Sequence, residues 1–169
     1  MKKKILVSIL MGCLYGAAAW GIPVADGTVG SGEYTASVEK GGMTLYYTVT
    51  ADSIFLAIRA KTSGWVAIGI GSDRMDKAVI FMGYDAGGTP AYAEQKGIGH
   101  GHSDLAAAGV VISKGLRESD GWTVMELALS RAKALAPGSA SLPVIIAAGK
   151  ADSFKAIHSS RGSVVIPVQ

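Results

Sequence analysis

The chain has 169 residues, with 16 Lys and Arg against 13 Asp and Glu, which is room for one domain with a sizeable core and too little for two comfortable ones. Three of the basic residues are Lys2, Lys3 and Lys4, so beyond them the charges balance and the one-sided basicity of a nucleic-acid binder is missing. The single cysteine, Cys13, rules out a disulfide framework, a thiolate zinc site, an iron–sulfur cluster and thioether-attached haem in a domain that has lost its first 19 residues.

The opening "MKKKILVSILMGCLYGAAAWG" has the layout of a secretory signal peptide over residues 1–19: lysines, an apolar stretch from Ile5 to Trp20, and small residues Ala17, Ala18 and Ala19 suited to cleavage. That stretch is short of the roughly 20 apolar residues that span a bilayer, and no later segment is long enough, so no transmembrane segment is expected in the mature chain. An exported domain, periplasmic or extracellular, is the expectation. The alternative is "LMGC", which resembles a lipoprotein signal and would leave a lipid tether on Cys13.

Residues 20–31, containing "GIPVADGTVG", read as a flexible lead-in on their glycines and proline, and residues 32–169 as one domain. Ten short runs follow: "EYTASVE", "MTLYYTVT", "SIFLAIRA", "GWVAIGIG", "AVIFMGYD", "PAYAEQ", "AAGVVIS", "WTVMELALS", "LPVIIAAGK" and "GSVVIPV". In the second, Thr44, Tyr46, Thr48 and Thr50 alternate with Leu45, Tyr47 and Val49, the period of a half-buried strand. Between the runs lie turn signals such as "EKGG", "KTSG", "DAGG" and "ESDG", and only "SRAKALA" has helical character. The pattern predicts an all-β, antiparallel, immunoglobulin-like β-sandwich of about ten strands with one short helical turn.

"GWVAIGIG" is apolar on both sides: Trp65, Ala67 and Gly69 would share one face, Val66, Ile68 and Ile70 the other. Gly69 and Gly71 leave room there for a packed strand or for a bulky ligand.

The chain lacks a nucleophile elbow, an HExxH helix and a phosphate-cradling glycine loop, so hydrolase and nucleotide-dependent chemistry are unmotivated and no catalytic residue is assigned. Its three histidines are His100 and His102 in "GIGHGHSDL" and His158 in "KAIHSSRGS". With Asp104, the first two have a spacing that could hold copper or zinc, or they are simply solvated. Met75, in "GSDRMDKAV", sits on the polar shoulder of a turn; it either folds back over the core or aims a thioether at a metal. Met75 and His158 both fall on strand-end connections, where functional groups on a rigid sandwich gather.

Taken together, "GWVAIGIGSDRMDKAVIFMGYD", "AYAEQ", the His-containing loop ending at Asp104 and "IIAAGKADSFKAIHSSRG" resemble a DOMON domain of the cytochrome type, over roughly residues 32–168. The resemblance implies a sandwich with a pocket at one end of a sheet for non-covalent haem b, Met75 and His158 as axial ligands meeting at the same end of the molecule, and electron transfer rather than catalysis. It further implies Arg161 as partner of a haem propionate, and Trp65 and Phe81 as residues lining the macrocycle or, alternatively, the core. Met82 is a second thioether close by in sequence, and Tyr84 and Tyr92 read as packing residues. Electrons would come from and go to a separate redox partner protein. Alternatives from other classes are a cofactor-free module binding a carbohydrate or small ligand, and copper or zinc binding through His100 and His102.

Overall fold

The computed structural model describes residues 21–106 and 109–169; the segment read as a signal peptide, Cys13 with it, lies outside the described residues. Two antiparallel sheets face each other. The first has five strands in the order β1-β2-β3-β9-β8: β1 (Ala36–Lys40), β2 (Met43–Val49), β3 (Ser53–Ala60), β9 (Trp122–Ser130) and β8 (Val111–Ser119). The second has six, in the order β11-β10-β4-β5-β6-β7: β11 (Ser160–Pro167), β10 (Ser141–Ala148), β4 (Val66–Ile70), β5 (Val79–Asp85), β6 (Pro90–Ile98) and β7 (Gly101–Asp104). A single four-residue helix, α1 (Arg131–Ala134), follows β9. Among the described residues no helix is long and apolar enough to cross a membrane.

Strand periodicity builds the main core. Alternate residues of each sheet turn inward, among them Leu45 from β2, Leu56 and Ile58 from β3, Ile68 and Ile70 from β4, Phe81 from β5, Met125, Leu127 and Leu129 from β9, and Val144 and Ile146 from β10. Each fully buried aliphatic side chain contributes about 1.5–3 kcal/mol relative to exposure. Among the described residues eleven strands are present instead of the ten or so expected. The extra one is β7, "GHSD", whose residues are all exposed; it lacks the apolar alternation by which a strand is read from sequence and exists because it pairs with β6 from Gln95–Asp104 to Ile98–Gly101.

Part of the outer face of the five-stranded sheet is closed by a strap, the segment read as a flexible lead-in. Tyr34, Phe55, Ala57 and Ala128 form a second apolar cluster there, with Val29 and Tyr46 packed against it. Glu126, on β9, is fully buried beneath the strap. Its Oε2 accepts the backbone N–H groups of Asp26 (3.0 Å), Gly27 (2.7 Å) and Thr28 (3.0 Å), and its Oε1 accepts the Tyr34 hydroxyl at 2.7 Å. The strap lies so close that a Cβ on Gly115 would stand 2.5 Å from the Ala25 carbonyl oxygen. Burial pushes the Glu126 carboxyl above the usual carboxylate range, with the bonds from Tyr34, Gly27 and Thr28 pulling the other way. Burial and the bond to Glu126 push the Tyr34 phenol well up.

Candidate functional site

The outer face of the six-stranded sheet is apolar too. Ala67 of β4, Ile80 and Met82 of β5, and Trp65 just before β4 form a separate buried cluster with Ala78, flanked by Met75, Ile145, Ala147 and Phe154. The two-sided reading of "GWVAIGIG" therefore holds, since Val66, Ile68 and Ile70 belong to the inner core. Room beside Gly69 is taken up by a neighbour: a Cβ there would meet Ile145 Cγ1 at 2.6 Å. Close packing of β10 thus accounts for that glycine.

Two loops cover this face. Residues 71–78 join β4 to β5, and residues 149–159 join β10 to β11. Because β4 and β10 pair with Ile70 opposite Val144 and Val66 opposite Ala148, the loops leave opposite ends of the sheet. That corrects the expectation that Met75 and His158 belong to one end: the loops start from opposite ends and both fold over the outer face, where Met75 and His158 line the same cavities. The register of neighbouring strands, which sequence alone does not reveal, decides this.

Each loop is pinned by its backbone. In the first, Ala78 N–H donates to the Met75 carbonyl (3.1 Å), Lys77 N–H to the Gly97 carbonyl (3.0 Å) and Gly97 N–H to the Ala78 carbonyl (2.9 Å). Gly99 N–H donates to Asp76 Oδ1 at 2.8 Å and the Ser72 hydroxyl to the Asp76 carbonyl at 2.8 Å. Gly97 is obligatory, because a Cβ there would overlap the Met75 carbonyl oxygen. In the second loop, Gly149 N–H donates to the Trp65 carbonyl (2.8 Å), Trp65 N–H to the Ala151 carbonyl (3.3 Å) and Ser159 N–H to the Ala148 carbonyl (2.8 Å). Phe154 packs on Tyr84 with ring centroids 4.8 Å apart.

Between the loops lies a cleft of two adjoining cavities. The deeper, about 260 Å³, has Trp65, Ala67, Ile80, Met82 and Ile145 among its lining residues, with Lys155 and Ile157 on the later loop. The wider, about 670 Å³, reaches Arg74, Arg161 and Ser163. Met75, His100 and His158 line both. The wider volume falls in the range of roughly 300–1,000 Å³ that small-molecule and cofactor sites occupy.

Two features set this cleft apart from ordinary packing. Trp65 is only 4% exposed, and its Nε1–H has no hydrogen-bond partner among the described residues, an arrangement that costs about 1–3 kcal/mol. Ile157, adjacent to His158, is 86% exposed although it lines an apolar cavity. A ligand with apolar faces seated in the cleft would cover it.

The other residues singled out by the sequence divide by strand parity, as Phe81 and Met82 illustrate. Phe81 does not line the cleft: it is 3% exposed and turns into the core between the sheets, so its role as a macrocycle-lining residue is corrected to packing. Its neighbour Met82 faces the cleft instead. Arg161 pairs with Ala147 in the β10–β11 ladder, which puts it on the cleft side, exposed at the rim. Tyr92 is half-buried against the inner core. His100 occupies the β6–β7 turn and His102 pairs with Gly97 on β7; both are exposed and line the deeper cavity. Asp104 Oδ1 accepts from Gln95 Nε2 at 3.0 Å, and among the described residues no three His, Cys, Asp or Glu side chains gather as a metal site. Lys155, Ile145 and Ala147 also line the cleft, and nothing in the sequence distinguishes them from other loop lysines and strand aliphatics.

No family model and no curated protein matches the sequence. In fold the chain is similar to the cytochrome b domain of pyranose dehydrogenase from Coprinopsis cinerea, with a TM-score of 0.56 and 13% identity over 76% of this chain and 77% of that one. It is equally similar to the cytochrome domain of cellobiose dehydrogenase from Myriococcum thermophilum, with a TM-score of 0.56 and 12% identity over 79% and 81% of the two chains. A family 9 carbohydrate binding module from Caldicellulosiruptor kristjanssonii, solved with glucose, aligns at a TM-score of 0.45 with 12% identity over 85% and 82%, too low to carry an argument. At these identities the likeness is one of fold.

Proposed function

We propose that this is an exported DOMON-type domain that holds haem b in the cleft and passes single electrons between redox partner proteins, with Met75 and His158 as axial ligands. The observation that carries the reading is that a thioether and an imidazole, on loops from opposite ends of one sheet, line the same two cavities. The rest of the donor set fits the group. An apolar floor of Ile80, Met82, Ile145 and Ala147 suits the ring, and the cations Arg161, Arg74 and Lys155 at the rim suit its carboxylates.

Bound there, haem supplies a one-electron couple. The chain's residues then set its properties. Met75, a soft neutral donor, favours the reduced state, while the neutral imidazole of His158 gives the second bond. With haem bound, the aliphatic lining would exclude water from the deeper cavity, and the guanidinium of Arg161 would pair with one of its carboxylates. With both ligands drawn from the protein, the residues leave no position for a substrate, which is why the proposed role is transfer and not catalysis. The fold likeness to two cytochrome domains of larger dehydrogenases agrees with a partner on another chain or domain.

The test is to purify the mature domain from cells supplied with a haem precursor and to record its visible spectrum. A red protein with sharp bands on reduction is expected. A folded, colourless protein that takes up no added haemin would overturn the proposal.

A further inference from the structure

The strap closes only half of the outer face of the five-stranded sheet. Above the buried Glu126, the next row across the ladder is Arg59 on β3, Val124 on β9 and Arg117 on β8: both arginines pair with Val124, from its two sides. Paired residues share a face, and Val124 lies two positions before Glu126, so both guanidinium groups stand on the outer face beside the strap. With two strand spacings between them, their Cα atoms are roughly 10 Å apart.

These arginines border a groove of about 450 Å³, walled by Gly27, Thr28 and Val29 of the strap and by the β8–β9 turn with Ser119, Asp120 and Trp122. The Arg59 guanidinium carbon sits 4.0 Å from the centre of the Trp122 ring. Stacking fixes the plane of the guanidinium and leaves its N–H edge free to meet an anion. Among the described residues neither arginine forms an ion pair, the one salt bridge being Arg74 with Asp73. Glu126, Asp26 and Glu33 beneath and along the strap, Asp120 on the rim and Glu39 at the far edge of the same row are the carboxylates on this side, and none of them forms an ion pair with either arginine. The two guanidinium groups flank one groove from its two sides, where one ligand's anionic groups could meet both.

We propose that this groove is a second binding site, for a segment of a carboxylated polysaccharide, with Arg59 and Arg117 as its two anion contacts. Two features favour a sugar chain over an acidic protein surface. Hydroxyls of Thr28, Ser119 and Tyr46 line the groove with the arginines, matching a polyhydroxylated ligand. An apolar depression that could take the anchoring side chain of a protein partner is missing from the lining, since the Trp122 face is occupied by Arg59. The site lies on the opposite sheet from the cleft, and the inference does not rest on haem binding.

The test is calorimetric titration of the mature domain with polygalacturonate, dextran and polyglutamate near physiological salt, for wild type, R59Q/R117Q and, as a control at an exposed cation outside both cleft and groove, K150Q. The proposal expects binding of polygalacturonate alone, a loss of tenfold or more in the double variant, and no change in K150Q. Thermal melting of both variants at the wild-type temperature keeps the result independent of folding. Polyglutamate binding as tightly as polygalacturonate, equal loss in K150Q, or undiminished binding in R59Q/R117Q would each overturn it.

Discussion

The two outer faces of this sandwich are covered in different ways. On the five-stranded sheet, the strap brings three backbone N–H groups and a tyrosine hydroxyl to one buried carboxylate, and both oxygens of Glu126 are used. On the six-stranded sheet, two loops cover an equally apolar face yet leave an unpartnered indole N–H, an exposed isoleucine and an open cleft. Buried polar groups are normally satisfied and apolar side chains normally covered. The strap-covered part of the first face meets both conditions and is structural, and a face that breaks both is where a ligand completes the fold.

Removing the satisfied centre should have the largest effect. Glu126→Ala leaves the Gly27 N–H and the Tyr34 hydroxyl without an acceptor, while Asp26 N–H keeps the Val24 carbonyl and Thr28 N–H keeps Asp26 Oδ1; a loss of about 2–5 kcal/mol is expected in urea unfolding, with the visible spectrum of any haem-loaded protein unchanged. Gly97→Ala comes next. Its Cβ overlaps the Met75 carbonyl, so a destabilisation of roughly 1–3 kcal/mol should accompany a changed iron spectrum, which separates it from Glu126→Ala.

A smaller effect is expected with pH. The Glu126 carboxyl titrates above its ordinary range in the folded protein, so the native state binds its proton more tightly than the unfolded chain does. The associated stability is fully present below glutamate's ordinary pKa and is lost as pH rises through the raised folded value. Glu126→Gln, which cannot ionise, should lack this slope; an identical slope in both proteins would assign it to other groups. Least of all should happen with Met75→Leu, His158→Ala and His100→Ala in the haem-free protein, each at a solvent-reaching position and expected within about 0.5 kcal/mol of wild type. Of these, His100→Ala should also leave the haem spectrum intact.

How much of this was legible in the sequence follows from what short-range periodicity can encode. Alternation assigned Val66, Ile68 and Ile70 to one face of β4 and Ala67 and Gly69 to the other, and the same rule, applied to β5, separates Phe81 from Met82. It could not give β7, a polar strand held only by its partner. Nor could it show that the lead-in is pinned by a glutamate about 100 positions away, because that bond depends on β9 lying between β3 and β8 in its sheet. Met75 and His158 stood out by residue type and loop position, and Arg161 only through the resemblance. The cleft that gathers them depends on β10 pairing with β4, a contact between segments more than 70 residues apart that no local pattern records.

The central claim is that sulfur from residues 71–78 and nitrogen from residues 149–159 serve one iron. Electronic absorption and electron paramagnetic resonance of the haem-loaded protein and of its Met75→Leu and His158→Ala variants test it most directly. Low-spin six-coordinate iron in the wild type, loss of the thioether signature in the first variant and loss of haem in the second are the predicted results. Wild-type spectra retained by both variants would contradict the account.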